Sequence, residues 1–219
     1  MHAVIDCTLQ TDVPPVECAA LLALYRATDG PGWVDNAGWA QHSAVCTWYG
    51  VMCADGVVRG LFLAENQLRG SIPPEVGQLA HLERLLLYKN ALSGPIPPEL
   101  GTLANLQELD LYGNQLDGGI PSAFGNLTNL HVLALSSNRL AGNIPSELGS
   151  LANLQSLDLS SNALAGNIPP ELGSLANLRR LRLHTNALYG SIPPELGRLV
   201  NLEGLWLYDN QLSGGIPPE

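Results

Sequence analysis

Three residues of this chain are of the types that break bonds. Ser160, His184 and Asp158 supply a nucleophile, a base and an acid, the trio used for acyl transfer. A working triad needs the acid behind the histidine and donors aimed at the oxyanion. Asp158 instead stands 24 residues before Arg182, a natural ion-pair partner if the two hold equivalent places on neighbouring strands. His2, His42, His81 and His131 have no spacing that would gather a metal. Cys7, Cys18, Cys46 and Cys53 include no C-x-x-C pair, which speaks against zinc. The expectation is a protein that is not an enzyme and holds no metal or cofactor.

The interval itself says more. Ser160 and His184 are also 24 residues apart, and an asparagine recurs at that step as Asn66, Asn90, Asn114, Asn138, Asn162, Asn186 and Asn210. A fixed period of this size signals a stack of one small unit. Each unit reads L-x-x-L-x-L-x-x-N-x-L, as in Leu82 to Leu92. It continues x-G-x-I-P-x-x-hydrophobic-G-x-L, as in Ser93 to Leu103. Leu85 and Leu87 are two apart and share one side of a strand. A lone unit cannot bury them, but stacked units bury them against each other. The asparagine falls where the chain turns off the strand. Its amide both donates and accepts, so it is expected to satisfy backbone groups that the turn would orphan inside.

With its G-x-I-P segment, this motif resembles the plant-type subclass of leucine-rich repeats, over Val57 to Glu219. The resemblance implies an α/β solenoid, a right-handed superhelix. A parallel β-sheet would line its concave face and short 3-10 or helical turns its convex face. Seven repeats are expected over residues 57–219, the last incomplete and without a C-terminal cap. Residues 1–56 would form an N-terminal capping region.

That region has its own signals. Residues up to about 14 read as extended. Pro14-Pro15 opens a helix through Val16 to Tyr25, and Asp29-Gly30 stops it. Asp55-Gly56 marks a hairpin turn. All four cysteines precede the repeats, and Cys7–Cys18 with Cys46–Cys53 would each close a short local loop. Disulfides imply an oxidising, extracellular setting. The stretch Cys46-Thr47-Trp48-Tyr49-Gly50-Val51-Met52-Cys53 resembles the N-terminal cap of plant-type ectodomains. The run from Ala27-Thr28-Asp29-Gly30 through Trp33 and Trp39 is more similar to bacterial and algal caps. The three tryptophans are expected to plug the end of the leucine core.

Formal net charge is −10, which opposes nonspecific binding to nucleic acid or anionic membrane. No apolar run is long enough to span a bilayer. No basic-then-apolar leader is present, so any export leader is expected to have been removed, with Met1 an added start. A glutamate recurs after the I-P motif at Glu75, Glu99, Glu147, Glu171, Glu195 and Glu219. That row reads as a solvated acidic flank. Asn126-Leu127-Thr128 is a glycosylation sequon lying off the inner face.

The strand positions around the paired leucines are expected to face outward. They hold six basic and seven acidic residues, although the chain has only 10 bases against 20 acids. Mixed charge on a curved sheet suits specific recognition. Phe62, Leu86, Tyr88 and Tyr112 make one apolar-aromatic patch there. Arg180, Arg182, His184, Trp206 and Tyr208 make a second, and serines 136, 137, 156, 160 and 161 lie between. Exposed aromatics and arginines are the types that anchor interfaces. The leading expectation is a secreted or cell-surface module that binds a protein, peptide or glycan on this face. It resembles receptor-kinase ectodomains and polygalacturonase-inhibiting proteins. The alternatives are a structural or adhesive repeat array and a hydrolase. The ligand and oligomeric state are left open.

Overall fold

The first leucine of each pair lies in a strand, the second follows its end, and the period sets the register. The computed structural model describes residues 6–41 and 44–218, so His2, His42 and Glu219 lie outside the described residues. A hairpin of β1 (Val51–Ala54) and β2 (Val57–Phe62) starts the sheet, antiparallel. Its two-residue turn has Asp55 and Gly56 both left-handed, at φ 53° and 72°, the geometry that suits a tight hairpin. Six parallel strands follow: β3 (Arg84–Leu86), β4 (Glu108–Asp110), β5 (Val132–Ala134), β6 (Ser156–Asp158), β7 (Arg180–Arg182) and β8 (Gly204–Trp206). Leu61 pairs with Leu85, Leu85 with Leu109, and so on to Leu205, one repeat per strand.

The strands are shorter than the pattern suggested. Of the positions expected to face outward around each leucine pair, the last is not in the strand but in the turn after it. Glu65, Lys89, Gly113, Ser137, Ser161, Thr185 and Asp209 all have positive φ. That left-handed residue swings the chain away from the sheet, and the asparagine that follows secures the swing. Asn138 Nδ2 donates to the carbonyls of Leu111 and Leu135 at 3.0 and 3.1 Å, and its Oδ1 accepts from Leu116 N at 3.0 Å. Asn90, Asn114, Asn162, Asn186 and Asn210 repeat this contact set. Asn66 instead exchanges hydrogen bonds with the Asp35 backbone and so ties the first repeat to the N-terminal region.

Beyond the asparagines, two smaller parallel sheets run along the side of the stack. One holds residues 69–70, 91–95 and 115–117; the other holds 141–143, 163–166, 187–190 and 211–212. Opposite the long sheet lie 3-10 turns such as Pro98–Thr102 and Pro170–Ser174. Their glutamates sit in the first turn and face solvent. Each turn packs on the next so closely that glycine is required: a Cβ on Gly149 would lie 2.4 Å from the Glu171 carbonyl oxygen. The leucines between these layers form a continuous core and are fully buried through Leu188.

At the N-terminal end, α1 (Pro15–Ala27) packs against the 3-10 turn Pro74–Gln78. Tyr25, Trp33, Trp39 and Trp48 are buried beside it and pack ring against ring, Tyr25 stacked on Trp39 and the other pairs edge-on or tilted, with centroids 4.9 to 5.9 Å apart. Cys7 bonds to Cys18 and Cys46 to Cys53. One expectation fails here. Residues before α1 are not simply extended, because Cys7–Leu9 forms a 3-10 turn. The Asp6 carboxylate nucleates it by accepting from both Thr8 N and Thr8 Oγ1.

Candidate ligand-binding face

On the open side of the long sheet, equivalent residues of successive repeats stand side by side. One row runs Phe62, Leu86, Asp110, Ala134, Asp158, Arg182, Trp206. Neighbouring strands are about 4.8 Å apart, so charges one repeat apart can touch. They do. Arg59 meets Glu83 at 2.6 Å, Lys89 meets Glu65 at 2.7 Å, and Arg179 meets Glu203 at 3.1 Å. Arg182 meets Asp158 at 3.6 Å and Arg84 meets Glu108 at 4.0 Å. Exposed pairs of this kind add little stability. Their effect is to neutralise the face and fix the side chains that form it.

The second cluster comes together as two stacks. The Arg182 guanidinium lies over the Trp206 ring, 4.7 Å from its centroid, while still reaching Asp158. The His184 and Tyr208 rings stack at 4.5 Å and 23°. Trp206 can lie along the sheet because its strand neighbour is Gly204, where any Cβ would collide with the indole. Arg180 is exposed and, among the described residues, meets no acid. The first cluster is looser. Phe62 lies over Gly60 in the same way, beside Leu86. Tyr88 is half-buried and Tyr112 exposed, on adjacent repeats.

The hydroxyl-rich zone is not what the sequence suggested. Ser136 and Ser160 are buried, not presented. The Ser160 hydroxyl donates to Asp158 Oδ1 at 2.6 Å, so it reaches the acid and not the histidine. With Asp158 held by Arg182 and His184 stacked on Tyr208, the three residues form a surface lattice without the order of a triad. Among the described residues no group of histidines, cysteines and carboxylates is gathered for a metal.

Asp110 is the residue that sequence reasoning passed over. It is partly buried on β4, and no base pairs with it among the described residues. Its Oδ1 accepts from Tyr112 N, at 3.0 Å. Burial pushes its carboxyl above the ordinary value, against the pull of that N–H, and the negative Glu108 and Asp158 add to the rise. Matching each charge to the residue 24 positions away would have found it, since Leu86 and Ala134 flank it. A second asparagine ladder was also legible and missed. Asn105, Asn129, Asn153, Asn177 and Asn201 each donate Nδ2 to the carbonyl 25 residues earlier.

Comparison with known proteins places these features. A family model described as a leucine-rich repeat region matches residues 56–215. Polygalacturonase inhibitor 2 of Arabidopsis thaliana is 39% identical over 70 residues, 30% of this chain and 21% of that protein. The ectodomain of the Arabidopsis receptor kinase HAESA, solved with the peptide hormone IDA and the co-receptor SERK1, superposes with a TM-score of 0.84 at 35% identity. That match covers 92% of this chain and 35% of HAESA's. A plant ice-binding protein of known structure matches with a TM-score of 0.65 and 26% identity, over 94% of this chain and 90% of that one. The chain thus spans about a fifth of the inhibitor and about a third of the receptor ectodomain.

Proposed function

We propose, from the premise that this chain belongs to the leucine-rich repeat family, that it is an extracellular module binding an extended peptide on the open face of its long sheet. The observation that carries the reading is the pair of stacks, Arg182 on Trp206 and His184 on Tyr208, beside Arg180, which meets no acid among the described residues. Rings and a guanidinium fixed before a ligand arrives lose little freedom on binding, and residues of these types dominate interface energies. Both disulfides favour an oxidising compartment. The likeness to a receptor ectodomain solved with a peptide hormone supports a peptide as the ligand class.

The test is selection from a randomised peptide library displayed on phage, panned on the protein and on an Arg182→Ala/Trp206→Ala/Tyr208→Ala variant. Enrichment on the first and loss on the second is expected. Peptides retained equally by both would place binding elsewhere and favour an adhesive array.

A second reading attaches to the side sheet. In the sheet of residues 141–212, small side chains stand in register, with Ala163 beside Ala141 and Ala165 beside Asn143 and Ala187, next to the exposed Tyr189. A flat array at regular strand spacing is a surface that ordered water could match, as the likeness to an ice-binding protein invites. Growth of ice crystals during annealing, slowed by the protein and not by an Ala165→Lys variant, would establish it. Equal growth with and without protein would remove it.

A further inference from the structure

The face carries six basic and seven acidic residues. Five cross-repeat pairs join Arg59 to Glu83, Lys89 to Glu65, Arg84 to Glu108, Arg182 to Asp158 and Arg179 to Glu203. Among the described residues three charges of the face are left over: Arg180, Asp110 and Asp209. Asp209 sits exposed in the last turn and accepts from the Thr185 hydroxyl at 3.5 Å. Asp110 and Arg180 differ from it. They project from strands of the sheet itself, and their surroundings leave them uncompensated. Asp110 stands between Leu86 and Ala134, and Arg180 between Ser156 and Gly204. A surface that pairs its own charges wherever a partner is in reach has left one acid and one base free, of opposite sign.

Their separation is set by the fold. Asp110 is on β4 and Arg180 on β7, three strand spacings apart, and Arg180 lies two residues before Arg182, the residue in Asp110's row. Three spacings of about 4.8 Å and a two-residue offset of about 6.6 Å give a diagonal of roughly 16 Å. An extended chain rises about 3.3–3.6 Å per residue, so roughly four or five residues span it.

Resting on the peptide reading above, we infer that the two residues set the polarity of the ligand. A cationic side chain of the peptide seats on Asp110, and a carboxylate four or five residues away seats on Arg180, so the peptide lies across the strands in one direction. Tyr112 and Leu86 beside Asp110 offer an apolar path for the stem of a lysine or arginine. A peptide with the two charges exchanged would place like charges together and be rejected.

The same displayed library tests this, panned on the protein and on an Asp110→Lys/Arg180→Glu variant. The expected result is that the native protein enriches peptides with a basic and an acidic residue four or five positions apart, in a single order. The variant should enrich the reverse order. A synthetic copy of an enriched peptide should bind Asp110→Asn and Arg180→Gln each about tenfold or more weakly, the worth of one charged hydrogen bond. Asp117→Asn, on the side sheet, should bind as the native protein does. If the double variant does not fold, the two single variants decide the matter. Enriched peptides without charge order, or unmoved affinities in both single variants, would overturn the polarity while leaving the peptide-binding face standing. Failure to enrich any peptide would overturn both.

Discussion

Asp110 shows how a single side chain can work against the fold that holds it. A carboxyl whose folded pKa is raised binds more protons folded than unfolded, so stability falls as pH rises from its ordinary titration range through the raised value. At neutral pH the charged Asp110 is therefore a destabilising element. An asparagine in its place would keep the acceptor for Tyr112 N and drop the charge. Asp110→Asn is expected to melt higher than the native protein at pH 7, with the gain vanishing in acid below the ordinary carboxylate range. A native protein that melts as high as the variant at pH 7 would contradict this. A residue retained against stability is where function is to be looked for. The ladder asparagines are the opposite case. Asn138 satisfies three backbone groups on two repeats, and Asn138→Ala should destabilise by about 1–3 kcal/mol through the orphaned groups. An unchanged urea midpoint would refute it. The ladder was legible from sequence because its job repeats with the period. Asp110 was legible only by comparing each charge with the residues one period away, because its isolation depends on what those neighbours lack.

Elements in this protein are specified by their contacts with the next copy more than by local propensity. Three-residue strands such as β6 could not persist alone, and each is completed by the strand one repeat away. The same holds for the 3-10 turns. Gly149 has an ordinary negative-φ backbone, so alanine there is not forbidden by conformation; what forbids it is the Glu171 carbonyl, 2.4 Å from the added Cβ. Gly149→Ala is expected to cost about 1–3 kcal/mol by overpacking. Gly119→Ala, whose nearest neighbour would be a carbonyl oxygen at 3.8 Å, should change stability by no more than about 0.5 kcal/mol. Equal losses at both sites, measured by denaturant unfolding, would mean that the spacing between turns is not the constraint. As Asp55-Gly56 revealed the hairpin and the cysteine spacing the disulfides, the period and the paired leucines revealed the strands. Their spacing was silent on strand length, since the switch to a left-handed residue at Glu65, Lys89 or Thr185 has no side-chain signature. For the same reason the buried state of Ser136 and Ser160 was hidden: a serine two residues past the strand looks identical whether it faces solvent or its neighbour.

Across the whole molecule, stability should follow position along the stack. In a linear array each unit is supported only by its neighbours, so the total is close to a sum of unit and interface terms. The N-terminal end is closed by buried tryptophans and by Glu17, itself buried, which accepts the β2 amide of Val58 at 2.7 Å. At the other end the leucines of the last strand lose cover. Leu205 is 42% exposed, where its equivalents from Leu61 to Leu181 are fully buried. Two consequences can be separated by experiment. Leu157→Ala, in the middle of the stack, removes contacts on both sides and should cost about 2–5 kcal/mol. Leu205→Ala removes a side chain already partly in water and should cost less than about 1.5 kcal/mol, since half the burial carries roughly half the transfer energy. Amide exchange should show the same gradient, with protection high at Leu61 and Leu85 and falling across residues 202–212 before the rest of the chain opens. Uniform protection along the chain, together with equal losses for the two substitutions, would mean that the repeats unfold as one unit and that the graded picture is wrong. The gradient also bears on recognition, because Trp206 on the least supported strand and Tyr208 just past it stack on Arg182 of a well-buried strand and on His184 just past that one. A ligand bridging the two stacks would brace the weak end against the strong one, so binding should raise protection most over residues 202–212.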